Sequence, residues 1–252
     1  MFDPVLWGLV QGLTEFLPIS SSGHLVLVPA LLGRAGPDLP TSAMLHLGTL
    51  VALLVYFRGD VVDVLRFGRS GRRLLTLLLI GTIPAAVVGL ALESTVARLE
   101  EEPRVVAVAL LVTGVILLGT QLLRLGDRRT EDARPWDALV VGIAQATAIL
   151  PGISRSGTTI AAGLGRGLNR AEAARFGFLL GIPAVAAAGA LETLKVVREG
   201  AGITGGTLLG MVVAGVAGYA AIAVLLRVLR RVGLLPFAVY CLFAGTLALL
   251  LL

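Results

Sequence analysis

Apolar residues run almost unbroken over 41–57, 74–92, 105–123, 174–194, 207–226 and 234–252, and the polar positions gather between these runs. Each run approaches the ~20 apolar residues that a helix needs to cross a bilayer. None alternates apolar with polar residues, as a barrel strand would, and only helices or closed barrels satisfy their backbone in lipid. The pattern predicts an all-α integral membrane protein with about six transmembrane helices. Residues 3–33 and 137–165 differ from these runs: each is apolar but broken at its centre by Pro, Ser and Gly.

The two broken stretches are copies. Residues 3–23 (DPVLWGLVQGLTEFLPISSSG) align without a gap to 137–157 (DALVVGIAQATAILPGISRSG), with identities at Asp3/Asp137, Gly8/Gly142, Gln11/Gln145, Ile19/Ile153, Ser20/Ser154, Ser22/Ser156 and Gly23/Gly157. All but the isoleucine pair are polar residues or glycine, which points to two halves converging on one site. The chain reads as one membrane domain, 1–252, with repeat halves of about 1–123 and about 137–252.

Composition supports the membrane reading and narrows the rest. The chain is 56% hydrophobic with a mean hydropathy of +0.92, above the roughly half-apolar soluble average. The first residues do not read as a cleavable signal peptide: Asp3 stands where a basic segment would, and Gln11, Thr14 and Glu15 interrupt the apolar run. The single cysteine, Cys241, forms no internal disulfide. A net charge of +5 raises the question of nucleic acid, but the arginines sit between hydrophobic runs rather than on one soluble face, so no nucleic-acid partner is expected.

The charge distribution also orients the chain. Segments 58–73, 124–134, 166–175 and 227–231 hold 15 arginines, whereas the other connections hold only Arg34, Arg98, Arg104, Lys195 and Arg198. The positive-inside rule makes the basic segments cytoplasmic. Tracing the crossings from there, residues 137–165 enter and return on the inside, and residues 3–33 enter and return on the outside. This is an inverted-topology repeat with two re-entrant helical hairpins meeting near the midplane, and both termini are then external.

The hairpin turns carry the candidate chemistry. Pro18-Ile19-Ser20-Ser21-Ser22-Gly23 and Pro151-Gly152-Ile153-Ser154-Arg155-Ser156-Gly157 each precede an apolar helical run. Serine-rich helix starts expose backbone N–H groups and supply capping hydroxyls, and two such starts aimed at one point favour an anion. Arg155 adds a planar cation suited to phosphate. In the first copy Gln11 and Glu15, four apart, share a helix face, and His24 follows the serines. A carboxylate facing phosphate calls for a divalent cation between them, Mg²⁺ or Ca²⁺, held by Glu15 and Gln11. Serine or histidine near a phosphoryl group supplies a nucleophile or proton carrier.

Structural roles compete for several of these residues. The serines can cap helices, and Gln145 is expected to hydrogen-bond across the pseudo-symmetric interface. His46 stands open between lining the site and structure, and the loop arginines read as orientation signals. An intramembrane carboxylate such as Glu15 is costly without a function. Pro84 and Pro183 are expected to kink matched helices, and Glu93 and Glu192, which follow them, are given no catalytic role. Gly205, Gly206, Gly210, Gly215 and Gly218 allow close helix packing, within one subunit or between the two copies of a homodimer.

At Gln11–His24 (QGLTEFLPISSSGH) and Pro151–Thr159 (PGISRSGTT) the chain resembles the undecaprenyl-pyrophosphate phosphatase family associated with bacitracin resistance. The first stretch fits the family's [E/Q]-x-x-x-E pattern with its serine-glycine-histidine run, the second its P-G-x-S-R-S-x-x-T pattern, and the likeness covers nearly the whole chain. The resemblance implies hydrolysis of the C55 polyprenyl diphosphate to its monophosphate in the bacterial plasma membrane. It further implies a divalent cation, recycling of the lipid carrier of cell-wall synthesis, and a site open to the extracytoplasmic side. By position, Glu15 is the essential carboxylate and Ser21 and His24 are the nucleophile or acid–base candidates. Arg155 grips phosphate in a pocket lined by Ser154, Ser156 and Thr159; Ser20 and Ser22 are added as phosphate-binding residues by the reading of the serine turns themselves. Gln11 stands where some members have glutamate, which removes one metal-ligating charge. The expected mechanism is attack by Ser21 on the terminal phosphorus with His24 handling protons, attack by His24 or by metal-bound water staying open. A transporter or flippase for an anionic lipid is the rival reading, since inverted repeats with broken helices also build carriers.

Overall fold

The computed structural model describes residues 2–252. Its chain order is α1 (Phe2–Phe16), α2 (Ser21–Leu32), α3 (Leu39–Tyr56), α4 (Arg58–Leu65), α5 (Arg69–Glu100), α6 (Pro103–Gly119), α7 (Pro135–Thr147), α8 (Arg155–Gly165), α9 (Arg170–Glu199), α10 (Gly205–Val232) and α11 (Leu235–Leu251), with short 3₁₀ turns between α6 and α7. Two short helices followed by three longer ones occur twice, with the small α4 added in the first half. Local chemistry sets the ends. Asp38, Asn169 and Thr204 cap α3, α9 and α10 through side-chain acceptors, and Gly33 and Gly200 close α2 and α9 in the left-handed conformation.

Five helices are long and apolar enough to cross a membrane: α3, α5, α6 with its 3₁₀ extension, α9 and α10. The sixth expected crossing is α11, which at 17 residues is shorter. It packs antiparallel along α6, from Leu242 against Gly114 to the Leu252 carbonyl, which accepts from Arg104. Leu79, Ile83, Val87 and Leu90 form an exposed apolar stripe on α5, the face a bilayer would cover.

Both broken stretches are re-entrant. Arg34, past the end of α2, pairs with Asp3 at the start of α1 at 3.2 Å, and Arg166, past the end of α8, pairs with Asp137 at the start of α7 at 2.7 Å. Each hairpin therefore begins and ends on one side. The two sides are opposite, because α3 leaves beside the first mouth, α9 leaves beside the second, and these helices pack antiparallel, His46 against Glu192 and Phe57 against Phe178.

Each hairpin docks on the other half. Gly8 and Gly12 of α1 run parallel to α10, and a Cβ on them would lie 2.6 Å from Gly210 O and 2.5 Å from Ala214 O. Their repeat mate Gly142 on α7 meets the Gly81 backbone of α5. Backbone-to-backbone packing of this kind needs small residues in a membrane, where burial supplies little drive. Gly210, Gly215 and Gly218 pack on Pro4, Gly48 and Phe16 of the same chain, so their close packing is within the subunit. Pro84 and Pro183 lie inside uninterrupted helices. They are not on matched elements as expected, since α5 corresponds to α10 and α9 to α3.

Candidate active site where the hairpins meet

The turns touch tip to tip. A Cβ on Gly23 would lie 3.2 Å from Gly152 Cα, Ser20 Oγ donates to Ile153 O at 3.4 Å, and Ser156 Oγ donates to Leu17 O at 3.1 Å. Ser20 and Ser154 cap α2 and α8, accepting from Gly23 N and Gly157 N. Ser22 and Ser156 then lie 3.3 and 3.2 Å from those capping hydroxyls. Of the two roles set against each other for these serines, capping is performed by Ser20 and Ser154. One asymmetry is conformational: Ser20 has φ 69°, a region that favours glycine, whereas Ser154 is extended.

Glu15 is the hub. Its side chain is 7% exposed, and its two oxygens take three donors: Arg155 Nη2 on Oε1 at 2.6 Å, and Ser21 Oγ at 2.6 Å and Gln11 Nε2 at 3.1 Å on Oε2. Helix spacing puts Gln11 one turn below Glu15, the turn brings Ser21 back over it, and the inverted hairpin delivers Arg155. The two charges that were expected to act from separate arms are in direct contact.

Two site atoms are buried without hydrogen-bond partners, Arg155 Nη1 and Gln11 Oε1. Buried polar atoms normally find partners, so both atoms stand out among the described residues. The first is an N–H donor lying against Gly181 of α9, and the second is an amide oxygen beside the Glu15 carboxylate.

His24 is held elsewhere. Nδ1 is 2.8 Å from Ser20 O, Nε2 is 2.7 Å from Tyr240 Oη, and the rings stack at 5.7 Å. A carbonyl only accepts, so Nδ1 carries the hydrogen. The hydroxyl of Ser21 thus meets Glu15 rather than His24. Thr159 lies one turn into α8, its hydroxyl donating to Arg155 O at 2.9 Å and Ser156 O at 3.2 Å, which ties down the turn that carries the arginine. Gln145 departs from expectation: it is buried, and neither amide atom has a partner, because its repeat site offers Ile149 where Gln11 has Glu15.

Three supporting residues escaped sequence reasoning. Thr113 on α6 donates to Gly152 O at 2.9 Å and accepts from Ser154 N at 3.0 Å, bracing the second turn. Tyr240 on α11 fixes His24. Gly181 on α9 makes room for the arginine, since a Cβ there would coincide with Arg155 Nη1. A lone polar residue inside an apolar run was the signal available for Thr113 and Tyr240; Gly181 gave none.

Asp137 anchors the second hairpin at its mouth. Burial acts to raise its pKa, but Arg128, the Arg134 backbone N–H and Arg166 hold the carboxyl down to about 2. The Asp137 side chain is 2% exposed, against 67% for its repeat mate Asp3.

The fold defines a multi-pass all-α membrane protein in which two inverted hairpins meet tip to tip. The family model described as "Bacitracin resistance protein BacA" matches residues 4–247, and the chain belongs to this family. It is 40% identical to the undecaprenyl-diphosphatase of Halothermothrix orenii, covering 100% of this chain and 98% of that one. The undecaprenyl-diphosphatase of Gloeobacter violaceus is 42% identical, with 99% and 91% covered. That of Carboxydothermus hydrogenoformans is 39% identical, with 99% and 97% covered.

Proposed function

We propose that this protein hydrolyses undecaprenyl diphosphate to undecaprenyl phosphate and inorganic phosphate, recycling the lipid carrier of cell-wall synthesis in the bacterial plasma membrane. The observation that carries the reading is the Glu15 carboxylate held between Ser21 Oγ and Arg155 Nη2, with Arg155 Nη1 unpartnered beside it. Relatives that share the whole length carry this activity in their names.

Arg155 and the capped starts of α2 and α8 receive the phosphate oxygens, with Ser20, Ser22, Ser154, Ser156 and Thr159 shaping the pocket. Ser21 is the nucleophile this geometry favours, because its hydroxyl already donates to a carboxylate that can take its proton. Its Oγ bonds to the terminal phosphorus as the bond from phosphorus to the lipid-phosphate oxygen breaks. The proton passes to Glu15, and water then releases inorganic phosphate from the serine. Attack by His24 would require Nε2 to leave Tyr240, so His24 instead holds the Ser20 carbonyl of the first turn in place.

A divalent cation fits the donors present. Glu15 supplies charge, and Gln11 Oε1 is a buried oxygen without a partner, both hard ligands of the type Mg²⁺ and Ca²⁺ take. When bound, such an ion neutralises phosphate charge and polarises the phosphoryl oxygens.

The charge bias makes the mouth of α1 and α2 extracytoplasmic, which is where the headgroup would enter while the isoprenoid tail stays in lipid. The test is phosphate release from farnesyl diphosphate by purified protein with divalent metal. Release that disappears in Glu15→Ala and Arg155→Ala supports the reading. No release with any metal would leave a lipid carrier as the better account.

A further inference from the structure

A second ionisable pair sits at membrane depth, between α3 and α9. His46 Nδ1 lies 2.9 Å from Glu192 Oε2 and 3.1 Å from Ser42 O, and Ser42 Oγ donates to Glu192 Oε1 at 3.2 Å. Both neighbours of Nδ1 are acceptors, so Nδ1 carries a hydrogen. Nε2 has no hydrogen-bond partner among the described residues. The side chains are 21% and 25% exposed, so the pair is neither sealed in the core nor free at a rim.

Position ties the pair to the reaction centre. Glu192 follows Gly181 by 11 residues on α9, which is about 16 Å along the axis and only about 20° of rotation. It therefore shares the helix face against which the Arg155 guanidinium lies. Gly189, between them on α9, leaves room for α3, and a Cβ there would lie 3.6 Å from the His46 Cβ. Because α3 starts beside the mouth of α1 and α2, the pair lies on that side of Glu15 and Arg155, along the approach of an extracytoplasmic headgroup.

Ionisable groups inside a membrane domain are costly and mark ligand paths. We propose that His46, aimed by Glu192, is a phosphate-binding group on the approach to this site, about three helical turns from Arg155. As an imidazolium it donates Nε2–H to an oxygen of the diphosphate headgroup or of released inorganic phosphate. Glu192 positions the ring and balances its charge without touching the ligand. The proposal rests on the diphosphatase reading, and it assigns His46 to binding rather than to bond cleavage.

The chain has two histidines, His24 and His46, so ¹⁵N-histidine labelling gives two imidazoles, and His46→Gln assigns them by removing one. Titration of the wild-type protein in detergent with inorganic phosphate should move the His46 Nε2 resonance, saturating over the concentrations that inhibit release from farnesyl diphosphate. His46→Gln should raise KM for farnesyl diphosphate about tenfold, the size of one charge-assisted hydrogen bond, with kcat changed far less. Glu192→Gln should shift KM the same way by less. An Nε2 resonance unmoved at inhibitory phosphate overturns the proposal, as does a His46→Gln variant that loses thermal stability with KM intact. Wild-type release of phosphate checks the diphosphatase reading separately: if release occurs and His46 stays silent, only this inference fails.

Discussion

Arg155 Nη2 meets Glu15 Oε1 at 2.6 Å, joining side chains 140 residues apart across the two hairpin tips. Either charge alone would be buried without its partner, and breaking such a pair costs about 3–5 kcal/mol. Glu15→Ala and Arg155→Ala should each lower kcat by at least about a hundredfold, measured as phosphate release. Residues that work as one unit lose function once, so the double variant should be no worse than the poorer single one. Losses that multiply would show that the two act separately.

Gly181→Ala tests the seat of the arginine. The added methyl would occupy the place of Arg155 Nη1, and misplacing a positioned group by about an ångström can cost about a hundredfold in rate. Activity should fall at least tenfold, by this reasoning, while thermal stability in detergent changes little. Near wild-type turnover would show that the guanidinium does not need this seat.

Thr113→Val removes one hydroxyl and strands two buried groups, the Gly152 carbonyl and the Ser154 N–H. Each costs about 1–3 kcal/mol when left unpaired. The variant should melt several degrees lower and lose activity as the second turn loosens, and Thr113→Ser should restore much of both. A thermal melt alongside the release assay decides it.

Strong acid should loosen the second hairpin. The folded Asp137 carboxyl is held near 2, below its ordinary 3.8. A depressed carboxylate stabilises the fold fully above the unfolded value, and that contribution is lost as pH falls through the folded one. The advantage of wild type over Asp137→Asn should therefore be complete above about pH 5 and shrink between about pH 4 and 2. Asp3→Asn, at an exposed pair, should cost at most about 1 kcal/mol. Melting temperatures across that range test both statements.

Six of the seven repeat identities have the same physical use in both copies, which is why the repeat was so informative. Asp3 and Asp137 close the hairpin mouths, and Gly8 and Gly142 let the first arms touch foreign helices. Ile19 and Ile153 bury at the tips, Ser20 and Ser154 cap, Ser22 and Ser156 meet the caps, and Gly23 and Gly157 donate to them. Only the glutamine pair splits: Gln11 bonds Glu15, whereas Gln145 has no partner.

Contacts between distant segments were not legible. Nothing in residues 2–16 names α10 as their docking surface, because a glycine shows that something comes close but not what. The direct Glu15–Arg155 pair was missed for a related reason: each charge was placed by reasoning within its own hairpin, which put a cation and a phosphate between them. Tyr240 disappeared into the apolar run of α11, where one hydroxyl hardly alters hydropathy.

The exchange of hairpins between halves also dictates an order of manufacture. Gly210 follows Gly8 by 202 residues, whereas Gly142 follows Gly81 by 61. When α7 leaves the ribosome its groove on α5 already exists, so the second hairpin can dock during synthesis. The first hairpin is made earliest and must wait until α10 has been inserted. The hairpin that carries Glu15, Ser21 and His24 is thus the last to dock, and a nascent or truncated chain lacking α10 holds these residues apart from their final setting.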